Sequence, residues 1–175
     1  MNKLLLFVFI ALLAGCGSLR ISYDYDKQAN FANYKTYAFT EDAMKLPLDE
    51  LNRNRIIAAV EKEMAGKGFS KADSPDVLID LLLKTAQKVE ATATNSGGYG
   101  YGRYGYGGGF STTQINYNEY IEGTLFVNMV DKSTEKIVWQ GRGTNTIDPD
   151  ANATKREQNI NYAVLRIFTN YPPKK

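Results

Sequence analysis

The sequence predicts an α+β fold, a two-layer sandwich in which a mainly antiparallel sheet of about five strands carries two helices on one face. Three observations support this class. Five segments favour extended structure, two segments repeat apolar residues at helical spacing, and the order along the chain is two strands, a helix, three strands and a final helix. Strands joined by hairpins are antiparallel, and two amphipathic helices suffice to cover one face of such a sheet.

The first two strands are short. Residues 21–26 alternate apolar and polar side chains, and residues 35–39 are expected to form the second strand. The polar stretch between them, residues 27–34, has the composition of a turn. Asp24 and Asp26 would lie on the same face of the first strand. Two interpretations stay open for this pair: a shared acid–base role and a solvated sheet face.

The first helix is expected to open at Pro47 and Asp49 and to run to about Ala65, where Gly66 and Gly68 provide stop signals. Its apolar face repeats at helical spacing and consists of Leu51, Ile56, Ile57, Val60 and Met64. Basic side chains occupy the more polar face of this helix. We interpret them as a solvated surface rather than a binding site.

Two long extended regions, one starting at Val77 and one spanning residues 112–131, are expected to pair as a single hairpin. The alternation of apolar side chains favours a register that pairs Val77 with Met129, Ile79 with Val127 and Leu81 with Leu125. A slip of two residues keeps the same faces, whereas a slip of one reverses them. Beyond about Ala86 and Tyr120 neither region has a core-like pattern, so we expect the hairpin to project there as an arm.

The C-terminal part of the chain contains the last strand and the second helix. A turn at residues 131–135 leads into a strand at residues 136–142, and Trp139 is expected in the core. The spacing of Thr154 and Glu157 is that of a capping box at the start of the helix. The apolar side of this helix consists of Ile160, Ala163, Val164, Ile167, Phe168 and Tyr171. Bulges or close packing are indicated by Gly123, Gly141 and Gly143.

Asp80 is an outlier, because it interrupts an almost entirely apolar strand. A buried carboxylate needs a partner or a shifted pKa. Either Lys84 or Arg142 would satisfy it, or Asp80 lies at an exposed edge of the sheet.

A second motif resembles the first half of a calcium loop and consists of Asp148, Asp150 and Asn152. Such a loop needs glycine at its sixth position and a bidentate glutamate at its twelfth, where this chain has Ala153 and Asn159. We therefore interpret the motif as a proline turn that leads into a helix, and we expect no metal site.

Composition argues against most catalytic and nucleic-acid-binding classes. The chain has no histidine, the commonest general base and neutral metal ligand, and only one cysteine. Without its first 15 residues it carries 20 basic and 19 acidic side chains and no run of like charge, unlike proteins that bind nucleic acid. We therefore expect no enzymatic activity, no cofactor and no nucleic-acid partner.

Cys16, the only cysteine, ends a Leu-Ala-Gly-Cys tetrapeptide after a charged tip and an apolar run. This layout is typical of a secretory signal peptide over residues 1–15, and the cysteine resembles the lipid acceptor of a lipobox. Two alternatives are a transmembrane helix, although the run is shorter than the roughly 20 residues that span a bilayer, and a secreted protein with a free thiol. Residues 16–20 would then tether lipidated Cys16 to a single domain over residues 21–173.

The residue after the cysteine bears on location. Many Gram-negative lipoproteins follow a sorting rule in which an aspartate at that position retains the protein in the inner membrane. This chain has Gly17 there, so resemblance to that rule implies the outer membrane. The sequence leaves open whether the domain faces the periplasm or the cell surface, and it leaves the oligomeric state open.

Residues 97–110 contain eight glycines and four tyrosines and no acidic residue. Dense glycine makes ordering costly, so we expect a mobile loop at the tip of the long hairpin. Aromatic faces stack on sugars and suit wet interfaces, so this tip is either a contact site for an envelope protein, lipid head groups or a glycan, or a low-complexity linker. The candidate contact residues are Tyr99, Tyr101, Arg103, Tyr104, Tyr106 and Phe110.

Taken in order, several motifs resemble the envelope lipoproteins of the domain of unknown function 4136 family. They are residues 23–26 (Tyr-Asp-Tyr-Asp), 31–39, 65–69, 74–79, the glycine–tyrosine tract, 122–125 with 130–131, 136–141 and the Tyr-Pro-Pro at 171–173. The resemblance covers nearly the whole chain after Cys16. It implies the fold and the envelope location given above. The family brings no established activity, so it implies no catalytic residue.

The sequence therefore favours a non-catalytic, membrane-anchored envelope lipoprotein that acts by contact. The alternative is a periplasmic module that binds a small ligand or a glycan in a pocket between helices and sheet, and an enzyme is the least favoured class. A concave apolar pocket would favour the binding module, whereas a filled core would count against it.

Overall fold

The computed structural model describes residues 19–97 and 111–173. Within these residues six strands form one open sheet, and their bounds are β1 Arg20–Tyr25, β2 Thr36–Phe39, β3 Ser70–Lys71, β4 Val77–Gly97, β5 Ser111–Asp131 and β6 Ile137–Ile147. The α-helices of the same residues are α1 Glu41–Met44, α2 Glu50–Gly66 and α3 Ala153–Phe168. The mixed α/β class is confirmed, with one strand and one helix more than expected. β3 has two residues and α1 four, too few to show a hydrophobic period.

The strand order is β1-β6-β5-β4-β2-β3. The pairs β1–β6, β6–β5 and β5–β4 are antiparallel, as expected of most of the sheet. The pairs β4–β2 and β2–β3 are parallel. The first two strands are therefore not neighbours, because the sheet places β1 beside β6 and β2 beside β4.

The predicted register of the long hairpin is wrong by two residues. Val77 lies opposite Asp131 and Ile79 opposite Met129, and the apolar series continues with Leu81 opposite Val127 and Leu83 opposite Leu125. The faces are as predicted, because side chains alternate with a period of two and a slip of two preserves them. The observed register pairs Leu83 with another leucine, whereas the predicted one would have set it against Gly123.

Helix α2 begins where the sequence indicates, since the Asp49 carboxylate accepts the backbone N–H of Asn52 as its N-cap. Its predicted apolar face is buried except for Leu51, which is 68% exposed in the first turn. The predicted capping box of α3 is wrong. The cap is Asn152, whose side-chain oxygen accepts the N–H of Lys155 at 2.9 Å, so Thr154 already lies inside the helix.

The core lies between one face of the sheet and helices α2 and α3. Trp139 is fully buried there, as predicted, and stacks on Phe168 with ring centroids 5.5 Å apart. A Cβ added at Gly141 would lie 2.4 Å from the Trp139 ring and 2.6 Å from Ile167. Gly141 therefore marks close packing rather than a bulge, and the one register shift between β5 and β6 lies at Met129 and Val130.

The long hairpin projects from the sheet as expected. β6 pairs with β5 only as far as Ile121, whereas β4 and β5 stay paired to Gly97 and Ser111. We call residues 87–97 and 111–121 the arm. Ten residues of each strand lie beyond the last pair with β6, so at about 3.3 Å per residue the arm extends about 33 Å beyond the sheet body. Residues 98–110, which hold the predicted contact tip, lie outside the described residues.

Candidate functional site

A groove with a volume of about 400 Å³ opens at the base of the arm, between the sheet and the helices. Sequence reasoning placed a pocket between helices and sheet only as an alternative and named none of its residues. Its lining comprises Leu19, Leu48, Asn52, Ile56, Leu83, Gly123, Leu125, Gly143, Asn145, Thr146, Ile147, Asp148, Pro149, Ala151, Arg156, Asn159, Ile160 and Ala163.

The floor of the groove is the helix-side face of the sheet. Leu83 and Leu125 lie opposite each other on β4 and β5 and provide apolar surface. Gly123 and Gly143 place no side chain over the neighbouring strands. A Cβ added at Gly143 would lie 3.1 Å from Ile167, so glycine at this position lets α3 pack close to the sheet.

The walls come from the two long helices and the segment before α3. Ile56 of α2 and Ile160 and Ala163 of α3 turn toward the sheet at helical spacing. The groove is thus a continuation of the core in which the helices stop short of filling the space above the sheet. An apolar concavity of this size is suited to a small apolar ligand.

The rim of the groove is polar and carries both charges. Asn52 donates its backbone N–H to Asp49 at 3.0 Å and its side-chain amide to the same carboxylate at 2.7 Å. These two bonds, together with the positive charge of Arg156, hold the pKa of Asp49 below its usual range. Arg156 also donates to the carbonyl oxygen of Pro149 at 2.8 Å, while Asp148 pairs with Lys155 at 3.3 Å.

The described chain begins at this rim. Leu19 lines the groove, and Arg20 forms an ion pair with Glu122 at the base of the arm. In the sheet Arg20 is level with Thr144, which pairs with Thr124 of β5. The N-terminal segment therefore enters the domain at the end of the sheet from which the arm projects.

The arm has two faces of different character. On the face that continues the groove, Val89 is 59% exposed and Tyr117 67% exposed, and the other apolar members are Ala91, Ala93, Ile115 and Ile121. Gln87 donates to Glu119 at 3.1 Å on the same face. The opposite face is mostly polar and includes Lys88, Glu90, Thr92, Asn116, Asn118 and Tyr120. We call the first set the apolar face of the arm.

Asp80 is satisfied by neutral groups, so the expected pairing with Lys84 or Arg142 is wrong. The Thr40 hydroxyl and the Asn128 side-chain amide each donate to its carboxylate at 3.1 Å, and Gln140 in turn donates to Asn128 at 2.8 Å. Lys84 instead lies 5.5 Å above the Phe126 ring, and Arg142 bonds to Ser22. The row of polar side chains crosses the open face of the sheet and holds three strands in register.

The other candidate carboxylates also serve local structure. Asp24 accepts the N–H of Tyr25, and Asp26 accepts that of Gln28. Asp148 accepts the N–H of Asp150 within the predicted turn. Among residues 19–97 and 111–173, no three acidic, histidine or cysteine side chains lie close enough together to hold a metal ion.

The remaining predicted sites lie where the structure gives no description. Cys16 falls in residues 1–18, and Tyr99, Tyr101, Arg103, Tyr104, Tyr106 and Phe110 fall in residues 98–110. In the described part of the chain, no helix has the length and apolar character needed to cross a membrane. One feature of the sequence could have indicated the groove. Gly123 and Gly143 lie in strands close to large apolar residues, and glycines in such strands leave space over the sheet.

Two solved structures are similar to this chain. A PDZ domain protein from Parabacteroides distasonis is 16% identical with a TM-score of 0.50, and the match covers 97% of this chain but 40% of the other. A PelC dodecamer from Paraburkholderia phytofirmans is 9% identical with a TM-score of 0.45, covering 90% of this chain and 99% of PelC. At these identities the first likeness shows a shared fold alone.

Sequence comparisons identify the family. None of the curated proteins matches this chain. The family model described as domain of unknown function DUF4136 matches residues 21–173. Because this match covers most of the chain, the protein belongs to the DUF4136 family.

Proposed function

We propose that the protein is a lipid-anchored lipoprotein of the bacterial outer membrane that acts by contact and catalyses no reaction. The observation that carries the proposal is the arm. Its apolar face exposes Val89, Ile115 and Tyr117 far from the core, so these side chains contribute little to the stability of the domain. Exposed contiguous apolar surface on a soluble domain is typical of an interaction site.

The anchor is supported by the lipobox at Cys16. Three residues lie between Cys16 and Arg20, and the four Cα-to-Cα steps reach at most about 14 Å. The base of the arm, where Arg20 pairs with Glu122, would therefore lie near the bilayer. The aromatic residues of 97–110 follow at the end of the arm, so an envelope protein or a glycan is the partner we propose for that end.

Intact mass and crosslinking test the two parts separately. Protein from the membrane fraction should have the mass of residues 16–175 plus acyl groups, and Cys16→Ser should abolish both the added mass and the loss of the leader.

A photo-crosslinking amino acid at Tyr117, on the apolar face, should capture an envelope component in cells. The same group at Asn118, on the opposite face, is the matched control. Equal capture from both positions, or none from either, would contradict contact through the apolar face.

The groove supports a second candidate function, the binding of a small apolar ligand. Its walls and floor are formed chiefly by leucine, isoleucine, alanine and glycine, and the polar Asn145 lies on the floor opposite Gly123. A glycan needs many polar partners inside its site, so this lining favours an apolar ligand over a sugar. A neutral fluorescent apolar probe such as N-phenyl-naphthylamine should bind the purified protein with increased emission.

A further inference from the structure

We propose that the groove binds a long-chain fatty acid, with the acyl chain along the floor and the carboxylate at Arg156. This inference rests on the second candidate function, ligand binding in the groove, and names the ligand class. It is carried by three features of the described residues: the apolar interior, the position of the cation and the open end toward the arm.

The interior suits a flexible hydrocarbon chain. Leu83, Leu125 and Ile160 offer only methyl and methylene surface, and the glycines beside them leave room over the sheet. Burying hydrocarbon against such surface is favourable and requires no directional partner. A sugar would instead require several polar groups within the cavity. On the floor, Asn145 lies opposite Gly123 on the same face as Gly143 and is a polar lining residue.

The rim provides the complement to one negative head group. Arg156 lines the groove, and its guanidinium has five N–H donors, of which the Pro149 carbonyl accepts one. A guanidinium binds a carboxylate through two parallel hydrogen bonds. Two carboxylates lie near this cation. Asp148 is paired with Lys155, and Asp49, on which the charge of Arg156 acts, accepts two hydrogen bonds from Asn52. These partners limit the repulsion of an incoming anion, which must still compete with Asp49 for Arg156.

The groove continues into exposed apolar surface. Ile147 lines it and pairs across the sheet with Ile121, which belongs to the apolar face of the arm. Both side chains are about two-fifths exposed, at 40% and 45%. A chain longer than the groove can therefore continue over apolar surface, which shields one side of it from water.

The test uses residues 16–175 with Cys16→Ser, which contain every buried core residue of the described domain, the earliest being Tyr37. Dansyl-labelled undecanoic acid is titrated into the protein and displaced with palmitate or with hexadecanol. We expect palmitate to displace the probe. Ala163→Phe should fill the groove and weaken probe binding about 10-fold or more. Asn161→Phe adds the same ring on the exposed side of α3 and should leave binding unchanged, and circular dichroism verifies that each variant folds.

The head group is tested by Arg156→Gln, which keeps a donor for Pro149 but loses the charge. Palmitate affinity should fall about 10-fold, while hexadecanol affinity stays the same. Equal losses for both ligands, or none, would overturn the assignment of the carboxylate to Arg156.

Two further outcomes separate this inference from the function on which it rests. If neutral N-phenyl-naphthylamine binds and is lost in Ala163→Phe, but palmitate does not compete, the groove binds apolar ligands and the fatty-acid assignment is wrong. If neither binds, the ligand-binding function itself is wrong. If the Cys16→Ser protein binds palmitate but the acylated protein does not, the chain on Cys16 occupies the groove, which would overturn binding of a free fatty acid.

Discussion

Gly141 lies beneath the Trp139 ring, and its replacement by alanine is expected to destabilise the domain by about 2 kcal/mol. The new Cβ would lie 2.4 Å from one ring carbon of Trp139, 3.0 Å from another and 2.6 Å from a methyl group of Ile167. Both neighbours are fully buried. The ring has little room to retreat, because Phe168 stacks on it at 5.5 Å and Tyr171 meets its edge at 5.3 Å.

The magnitude follows from two opposing effects. Overpacking of a well-packed core costs roughly 1–3 kcal/mol, and the absence of free space on either side of Gly141 favours the upper part of that range. Alanine reduces the entropy of the unfolded chain relative to glycine, which stabilises the folded domain by about 0.4–1 kcal/mol and offsets part of this cost. For a domain of this size, a net loss of about 2 kcal/mol lowers the melting temperature by roughly 4–8 °C.

Urea denaturation followed by the fluorescence of Trp139, the only tryptophan, measures the change. Gly66→Ala is the matched control, because a Cβ there meets no atom within 4 Å, and it should be neutral or stabilising. In a double-mutant cycle followed by circular dichroism, Trp139→Phe should reduce the cost of Gly141→Ala, since the clashing ring atoms are removed. If Gly141→Ala behaves like Gly66→Ala, the close packing proposed for β6 and α3 is wrong.

Three further predictions concern the pH range, the polar row and the tip. Donation from Ser133, Tyr34 and Thr134 lowers the pKa of Asp131 below its ordinary 3.8, and burial beside that carboxylate raises the pKa of Tyr34 to about 12. Their contribution to stability is therefore present between about pH 4 and 10, and is lost as the pH falls below 4 or rises toward 12. The urea concentration at the unfolding midpoint, measured across this pH range, should fall at both ends. Asp131→Asn should reduce the fall at low pH. Asp80→Ala leaves Asn128 without its acceptor and should cost about 1–3 kcal/mol by chemical denaturation, whereas Asp24→Ala on exposed β1 should cost under about 0.5 kcal/mol. Deleting residues 97–110 should leave the melting temperature within about 2 °C while removing any partner captured through the tip, and an unchanged partner set would contradict a contact role for that tract.

Sequence reasoning located the elements that depend on a sustained hydrophobic period. Helix α2 and the faces of β4 and β5 follow from alternation or helical spacing over many residues. The register of β4 on β5 could not be predicted in this way, because a shift of two residues leaves a period-two alternation unchanged. The parallel pairing of β2 with β4 was also not predicted, since the pairing of strands far apart in the sequence leaves no local pattern.

The groove was harder to predict for a different physical reason. A groove is defined by where packing stops, and the residues that line it have the same apolar pattern as residues that fill a core. Ile160 and Ala163 were assigned to the apolar side of the last helix, which is correct, yet nothing in their spacing separates them from buried Val164 and Ile167. The partners of Asp80 were missed similarly, because Thr40 and Asn128 lie far from it along the chain and reach it across the sheet.

The positions of the tether and the arm constrain how an anchored domain would sit on a membrane. Arg20 is level in the sheet with Thr144 and Thr124, so both the tether and the arm leave from the same end. With Cys16 acylated as proposed, that end would lie within about 14 Å of the bilayer, and the arm extends about 33 Å from that end. A two-stranded ribbon has unpaired backbone groups along both edges and a polar face, so it does not insert into hydrocarbon. With Cys16 acylated as proposed, the arm would therefore stay outside the hydrocarbon, and the tip would meet its proposed partner at or above the membrane surface.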